Sequence, residues 1–324
     1  TKFALTGTPL ENSPLELWSI FDYIMPGYLS TAEKFRAKYR ITDFDDNANM
    51  LLDNLNKQIR PFILRRKKMD VTKDLPDKME NNIFVELTDE QKKIYVAELE
   101  KVKKEIDDIL KQGGEKKAAF LILPLLTKLR QICIDPKIVY PEYTGESNKI
   151  DSLIYVIKEN IANGNKILMF TSFKDAMNDV IGHLEKEDIP YYTISGEVSS
   201  KERMRRVDEF NERKDTAVFL IMLKAGGTGL NLASASTVIH LDLWWNPQAE
   251  NQATDRAHRI GQTKTVEVIH IVAKGTIEEK ILELQKKKLK LSEKLIDGEI
   301  RDKDILSSLS EKDIRELLSN ENKD

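Results

Sequence analysis

From Lys166 onward the chain repeats one rhythm, a short and solidly apolar run followed by an amphipathic segment. The apolar runs are Lys166–Phe170, Tyr191–Ile194, Val218–Met222, Thr237–Leu243 and Val266–Val272. Segments of helical period lie between most of them, at Asp175–Leu184, Lys201–Phe210 and Pro247–Ile260. Strands with no polar face must be covered on both sides, and parallel strands need crossovers long enough to return the chain. The alternation therefore predicts an α/β fold whose parallel sheet is sheathed by helices.

The preceding part reads differently. From Pro14 to about Tyr143 the pattern is helical, with Leu15, Trp18, Phe21 and Tyr23-Ile24 at helical spacing and a long charged helix over Gln91–Lys111. Gly113-Gly114 breaks that helix, and Ala118–Ile132 resumes it with an apolar face interrupted at Pro124. Ile83–Leu87 is a strand candidate in this region, and Pro136–Ser147 is the best linker. The first ten residues read as the end of a buried strand entering a Thr-Gly-Thr-Pro turn. With no starting methionine, they suggest a piece of something longer. From Thr276 the chain is helical and rich in lysine, and Lys286-Lys287-Lys288 reads as a solvated face. The expected division is 1–13, 14–146, 147–275 and 276–324.

Composition narrows the function classes. A chain of 324 residues exceeds one simple core. Its net charge of −3 leaves no global basic field, so any contact with nucleic acid must be a local patch. Cys133 is the only cysteine, which excludes an internal disulfide and fits a reducing cytosol. Four scattered histidines give no metal-ligand cluster, so no metal site is expected. No apolar run is long enough for a membrane span and no signal peptide is evident. The expected location is the cytoplasm, nucleoid-associated if the source is prokaryotic.

One segment carries chemistry. In Trp245–Gln262, Asn246 is a good N-cap, Pro247 suits the first helical position and Gly261 can close the C-terminus. Arg256 and Arg259, three residues apart, would project from one helical face. Two permanently charged guanidinium forks are suited to charge developing on a phosphoryl group, although an arbitrary pair at this spacing is usually only a solvated face. Ala225-Gly226-Gly227-Thr228-Gly229 follows the Val218–Met222 run. Such glycines let backbone amides approach a phosphate, and a plain tight turn is the alternative.

Four motifs in order carry a resemblance: LTGTPLEN (Leu5 to Asn12), RPFILRRKKMDVTKDLPDK (Arg60 to Lys78), ILMFTSF with ISGEVSSKERMRRVDEFN (from Ile167 and Ile194), and KAGGTGLNL followed by LDLWWNPQAENQATDRAHRIGQ (from Lys224 and Leu241). Together they resemble the Swi/Snf family of DNA-translocating ATPases in helicase superfamily 2, across nearly the whole chain. The resemblance implies a RecA-like second lobe at 147–275 preceded by helical insertions at 14–146. Residues 1–13 would end the first lobe, and 276–324 would be bracing helices. ATP and Mg²⁺ would be bound mainly by the first lobe, with neither held tightly by this chain alone. Partners implied are double-stranded DNA, that first lobe in cis and a protein on the helical insertions, with no membrane. Arg256 and Arg259 would be arginine fingers. Gly227, Gly229, Gln252 and Asp255 would lie on the nucleotide side. Thr171, Ser172, Lys174, Lys224, Ala225, Gly226 and Trp245 would face the DNA backbone, with part of the Arg203, Arg205 and Arg206 cluster. Arg60, Arg65 and Arg66 match a family box that helps close the lobes or forms local ion pairs.

Met222 and Ser236 depart from the family pattern. Methionine at 222 removes a hydroxyl available to phosphate, whereas the change at Ser236 is neutral. No G-x-x-x-x-G-K-[ST] loop and no DExH motif occur in the sequence, so catalysis is expected only in an intact enzyme and not from this chain alone. The rival expectation is a helicase-like interaction module without hydrolysis, which would have no need of both arginines.

Overall fold

The computed structural model describes residues 2–4, 14–39, 54–55, 57–64, 75–111, 115–223, 225 and 229–294. The Leu5–Asn12 motif, Arg65, Arg66, Lys224 and Gly226–Thr228 lie outside them.

A six-stranded, wholly parallel sheet organises the chain. Its strands are β1 (Lys78–Val85), β2 (Ile167–Thr171), β3 (Tyr191–Ile194), β4 (Val218–Met222), β5 (Thr237–His240) and β6 (Val266–Ala273), in the spatial order β1-β6-β5-β2-β4-β3. The apolar runs form strands because each alternate side chain finds its own core. Ile167, Met169, Val218, Leu220, Ile239 and Ile269 face one side, while Leu168, Phe170, Phe219, Ile221, Val238 and Val268 face the other.

The helices, numbered in chain order, begin with α1 (Pro14–Ile24) and α2 (Ala32–Lys38), whose apolar residues make a small separate cluster around Leu17, Phe21 and Phe35. Next come α3 (Asp89–Lys111) and α4 (Glu115–Ile134), then α5 (Asn148–Ala162) and α6 (Lys174–Lys186). The last are α7 (Ser200–Glu212), α8 (Pro247–Thr254) and α9 (Ile277–Lys294). Helices α5 and α6 cover the first sheet face through Leu153, Ile157, Met177 and Val180. Helices α7 and α8 cover the second through Val207, Phe210 and Ala253. Local signals agree with these bounds: Ser147, Ser199 and Asn246 each cap a helix with a side-chain oxygen.

Two expectations change. The strand candidate at 83–87 is an eight-residue strand whose partner is β6, paired from Lys78↔Val266 to Val85↔Ala273. A strand from before residue 147 thus joins the sheet formed by the later strands. Helices α3 and α4 share one cluster with Trp245, Val272 and Ile281, joining them to the sheet and α9. Even within the expected linker, Ser147 is buried and donates to the Ile134 carbonyl. The sequence hid β1 because an edge strand needs no solid apolar run, and its first five residues are exposed.

The second change concerns α8, expected to reach Ile260 but ending at Thr254. After it the chain tightens, with Arg256 N–H bonding to Ala253 O and Ala257 N–H to Thr254 O. Long-range bonds compete with helix continuation: Leu232 N–H donates to Arg256 O, and Gln262 Nε2 donates to Ala235 O and Ala257 O. Gly261 then turns the chain at φ 103°, a left-handed conformation that favours glycine.

Candidate nucleotide and nucleic-acid site

Ligands of open parallel sheets gather beyond the carboxyl ends of the strands. At that edge β2, β4 and β5 end in Thr171, Met222 and His240. The organising residue there is Asp242, which the sequence pattern does not single out. It is buried, and its Oδ1 accepts from Thr171 Oγ1 at 2.7 Å and from Ser172 N–H at 2.8 Å. Its Oδ2 accepts from Arg130 Nη2 at 2.8 Å, and the same nitrogen reaches Leu243 O at 2.7 Å. Arg130 comes from α4 and its side chain is only 2% exposed. Its guanidinium lies 5.1, 5.2 and 5.5 Å from the ring centres of Trp244, Phe173 and Trp245. A charge buried this deeply requires a partner, and Asp242 supplies it. No spacing signal could have paired positions 112 residues apart.

This arrangement places several of the residues expected at the DNA inside the fold. The Thr171 hydroxyl is buried and spent on Asp242 and on Phe173 N–H, so it is an internal strut. The Ser172 hydroxyl is likewise shielded from solvent, and no side chain caps α6. Ala225 is buried and its N–H is taken by Met222 O. Trp245 is 1% exposed, packed among Leu126, Leu129 and Ile277 in the cluster beneath α4 and α9. Trp244 does point the opposite way, half-buried against the second sheet face.

Other expected contacts stay accessible. Lys174 is 54% exposed, and its bond to Glu197 at 2.7 Å is a solvent-exposed pair of small worth. The arginines of α7 are committed within the chain: Arg205 to Glu202 and Glu209, Arg206 to Glu202 and Thr193 O, and Arg203 to Val198 O and Ser195 O. Arg60 sits in a short 3₁₀ turn that holds no buried residue.

The two motif arginines lie in the turns after α8 and are bonded to the segment that follows Gly229. Arg259 Nη1 donates to Leu230 O at 3.0 Å, and Arg256 O accepts from Leu232 N–H at 3.0 Å. Gly229 beside them is exposed, with φ 49°. Burial, and secondly the neighbouring Arg259 charge, pull the Arg256 pKa below its ordinary value, with Asp255 opposing weakly. Both arginines are half-buried. Gln252 is half-buried and Asp255 exposed one turn away. Among the described residues no His, Cys, Asp and Glu grouping could hold a metal.

Known proteins share the sequence pattern and the fold. Residues 1–138 match the SNF2-related domain and residues 148–261 the helicase conserved C-terminal domain. A Mycoplasma pneumoniae protein named an uncharacterized ATP-dependent helicase is 39% identical over 315 residues. That match takes in 97% of this chain, which spans only 29% of the relative's length. The Sulfolobus solfataricus SWI2/SNF2 ATPase core, solved with double-stranded DNA, is 36% identical and superposes with a TM-score of 0.60, covering 97% of this chain and 66% of that one. The C-terminal domain of the Sulfolobus SWI2/SNF2 ATPase is 31% identical with a TM-score of 0.61, covering 75% of this chain and 99% of the domain. The fold is RecA-like, and the chain belongs to the SWI2/SNF2 family of superfamily 2 ATPases.

Proposed function

We propose that this chain is the C-terminal part of an ATP-dependent translocase of double-stranded DNA, supplying its arginine fingers and part of its grip on the DNA backbone. The observation that carries the reading is the bonding of the Arg256–Arg259 turn to Leu230 and Leu232, in the segment that follows Gly229. The arginines would then face a nucleotide phosphate from a turn tied to the chain that continues the glycine motif. Arg256 and Arg259 would stabilise charge developing on the transferred phosphoryl group while water attacks. The phosphate loop and the magnesium-binding acid, absent from this sequence, would come from the other lobe. ATP with Mg²⁺ supplies the free energy; this chain's residues orient and screen charge. Hydrolysis would release the lobes from one another, a domain motion that shifts the grip along the duplex. DNA contacts would fall to Lys174, Lys224 and the amides of Gly226 and Gly227, with Gly229, Gln252 and Asp255 on the nucleotide side.

The test is ATP turnover with and without duplex DNA. The 324-residue chain alone is expected to show none, and a longer protein carrying the phosphate-loop lobe is expected to show DNA-stimulated hydrolysis. Absence of turnover in that longer protein would favour the non-catalytic module instead.

A further inference from the structure

The turn between β5 and α8 is held by side chains from three helices. Arg130 of α4 takes Leu243 O. Glu250 of α8 accepts from Trp244 N–H at 2.5 Å, and Gln285 of α9 donates to Trp244 O at 2.6 Å. Gln285 Nε2 also reaches the same Glu250 oxygen at 3.1 Å. Gln285 and Glu250 are 4% and 5% exposed, and His270 Nε2 lies 3.4 Å from the second Glu250 oxygen. Both polar groups of the Trp244 peptide are thus satisfied by side chains rather than by a sheet or helix ladder. The path onward is short. Trp244 leads into Asn246, which caps α8, and Arg256 lies two residues past the end of that helix.

We propose that Gln285 is a positioning residue. Its amide closes a ring of bonds among α9, the Trp244 turn and α8, and so sets where the arginine turn sits relative to the glycine loop. A displacement of α9 then reaches Arg256 and Arg259 through a side chain that touches neither nucleotide nor DNA. Its catalytic consequence rests on the function proposed above. The buried carboxylate of Glu250 makes the amide specific, since a carboxylate at 285 would repel it and an apolar side chain would leave Trp244 O unpaired.

The experiment uses the longer protein with both lobes and compares wild type with Gln285→Met and Gln285→Lys. Methionine keeps the volume and removes the donor, whereas lysine keeps a donor and pairs with Glu250. In Gln285→Met the amides of Trp244 and α8 are expected to exchange hydrogen at least about tenfold faster as local opening becomes easier. DNA-stimulated kcat should fall roughly tenfold or more with KM for ATP within about twofold, as expected for misplaced rather than missing groups. Gln285→Lys should restore both. If Gln285→Met fails to fold, Gln285→Ala removes the donor without adding charge and carries the same expectations. Unchanged exchange protection in the variant lacking the donor would overturn the clamp. Faster exchange with wild-type kcat would overturn its catalytic consequence. A wild-type protein without ATP turnover would sink the proposed function itself, while the exchange data still decide the clamp.

Discussion

Trp244 and Trp245 are chain neighbours with opposite surroundings, and that contrast was legible in the sequence: two successive tryptophans cannot both enter one interior. Which of them is the deeper one was not legible, because it depends on α3, α4 and α9 closing over Trp245. Trp245→Ala is expected to destabilise the chain by ~3–5 kcal/mol in urea unfolding through the cavity it leaves. Trp244→Ala should cost less than half as much, and equal costs would contradict the burial difference. The Trp245 indole N–H has no acceptor in its buried site, so Trp245→Phe forfeits no hydrogen bond and should be much milder than alanine. Asp242 and Arg130 went unseen for another reason. A lone aspartate after a strand and a lone arginine in an amphipathic helix carry no local signature, and only the fold makes them a pair.

Among elements, α5 and α9 are tied by an ion pair that is wholly buried. Lys149 Nζ lies 2.6 and 2.5 Å from the two Glu278 oxygens, and both side chains are 0% exposed. Burial pushes the Glu278 carboxyl up, the Lys149 charge opposes that rise, and Ala273 N–H supplies a further bond. Lys149→Met alone should cost ~3–5 kcal/mol, since it strands a carboxylate in the core. Adding Glu278→Leu should recover most of that in equilibrium unfolding, and a double variant no more stable than the single would refute the pairing. Strands β2, β5 and β6 carry a second buried feature, the stack of Phe170, His240 and His270 with ring centres 5.5 and 5.0 Å apart. Burial, then the neighbouring His270, hold the His240 pKa well below the usual 6.5. The unfolded chain therefore takes up a proton near pH 6.5 that the folded chain refuses. Stability from this site is full above that pH and declines as pH falls toward the folded value. In His240→Asn the urea midpoint should fall less between about pH 7 and pH 5.5 than in wild type. A parallel fall would show that His240 does not contribute. Of the elements themselves, apolar runs announced β2 to β6, most plainly at β2, β4 and β5, where burial on both faces requires apolar residues almost throughout. Edge strand β1 and the early end of α8 were decided by long-range pairing that periodicity does not report.

At the scale of the molecule, the chain is an α/β body with a helical pair welded onto one end of its sheet, and its functional loops share one edge. Motif order was readable because the segments that carry the family resemblance are local in sequence. Their surroundings were less so, since Thr171, Ala225 and Trp245 are buried. Duplex binding through the remaining groups should be sequence-independent and should weaken steeply with salt, the slope following the number of phosphates contacted. A titration indifferent to salt would contradict phosphate contacts. The central claim is that Arg256 and Arg259 act on the transferred phosphoryl group, and it is tested by steady-state ATP hydrolysis of the longer, two-lobed protein with saturating duplex DNA. Arg256→Ala and Arg259→Ala are each expected to lower kcat by about 10³–10⁵, the typical worth of an arginine finger, while nucleotide and DNA affinities stay near wild type. Near-normal kcat in both variants would show instead that these arginines only hold the glycine loop in place.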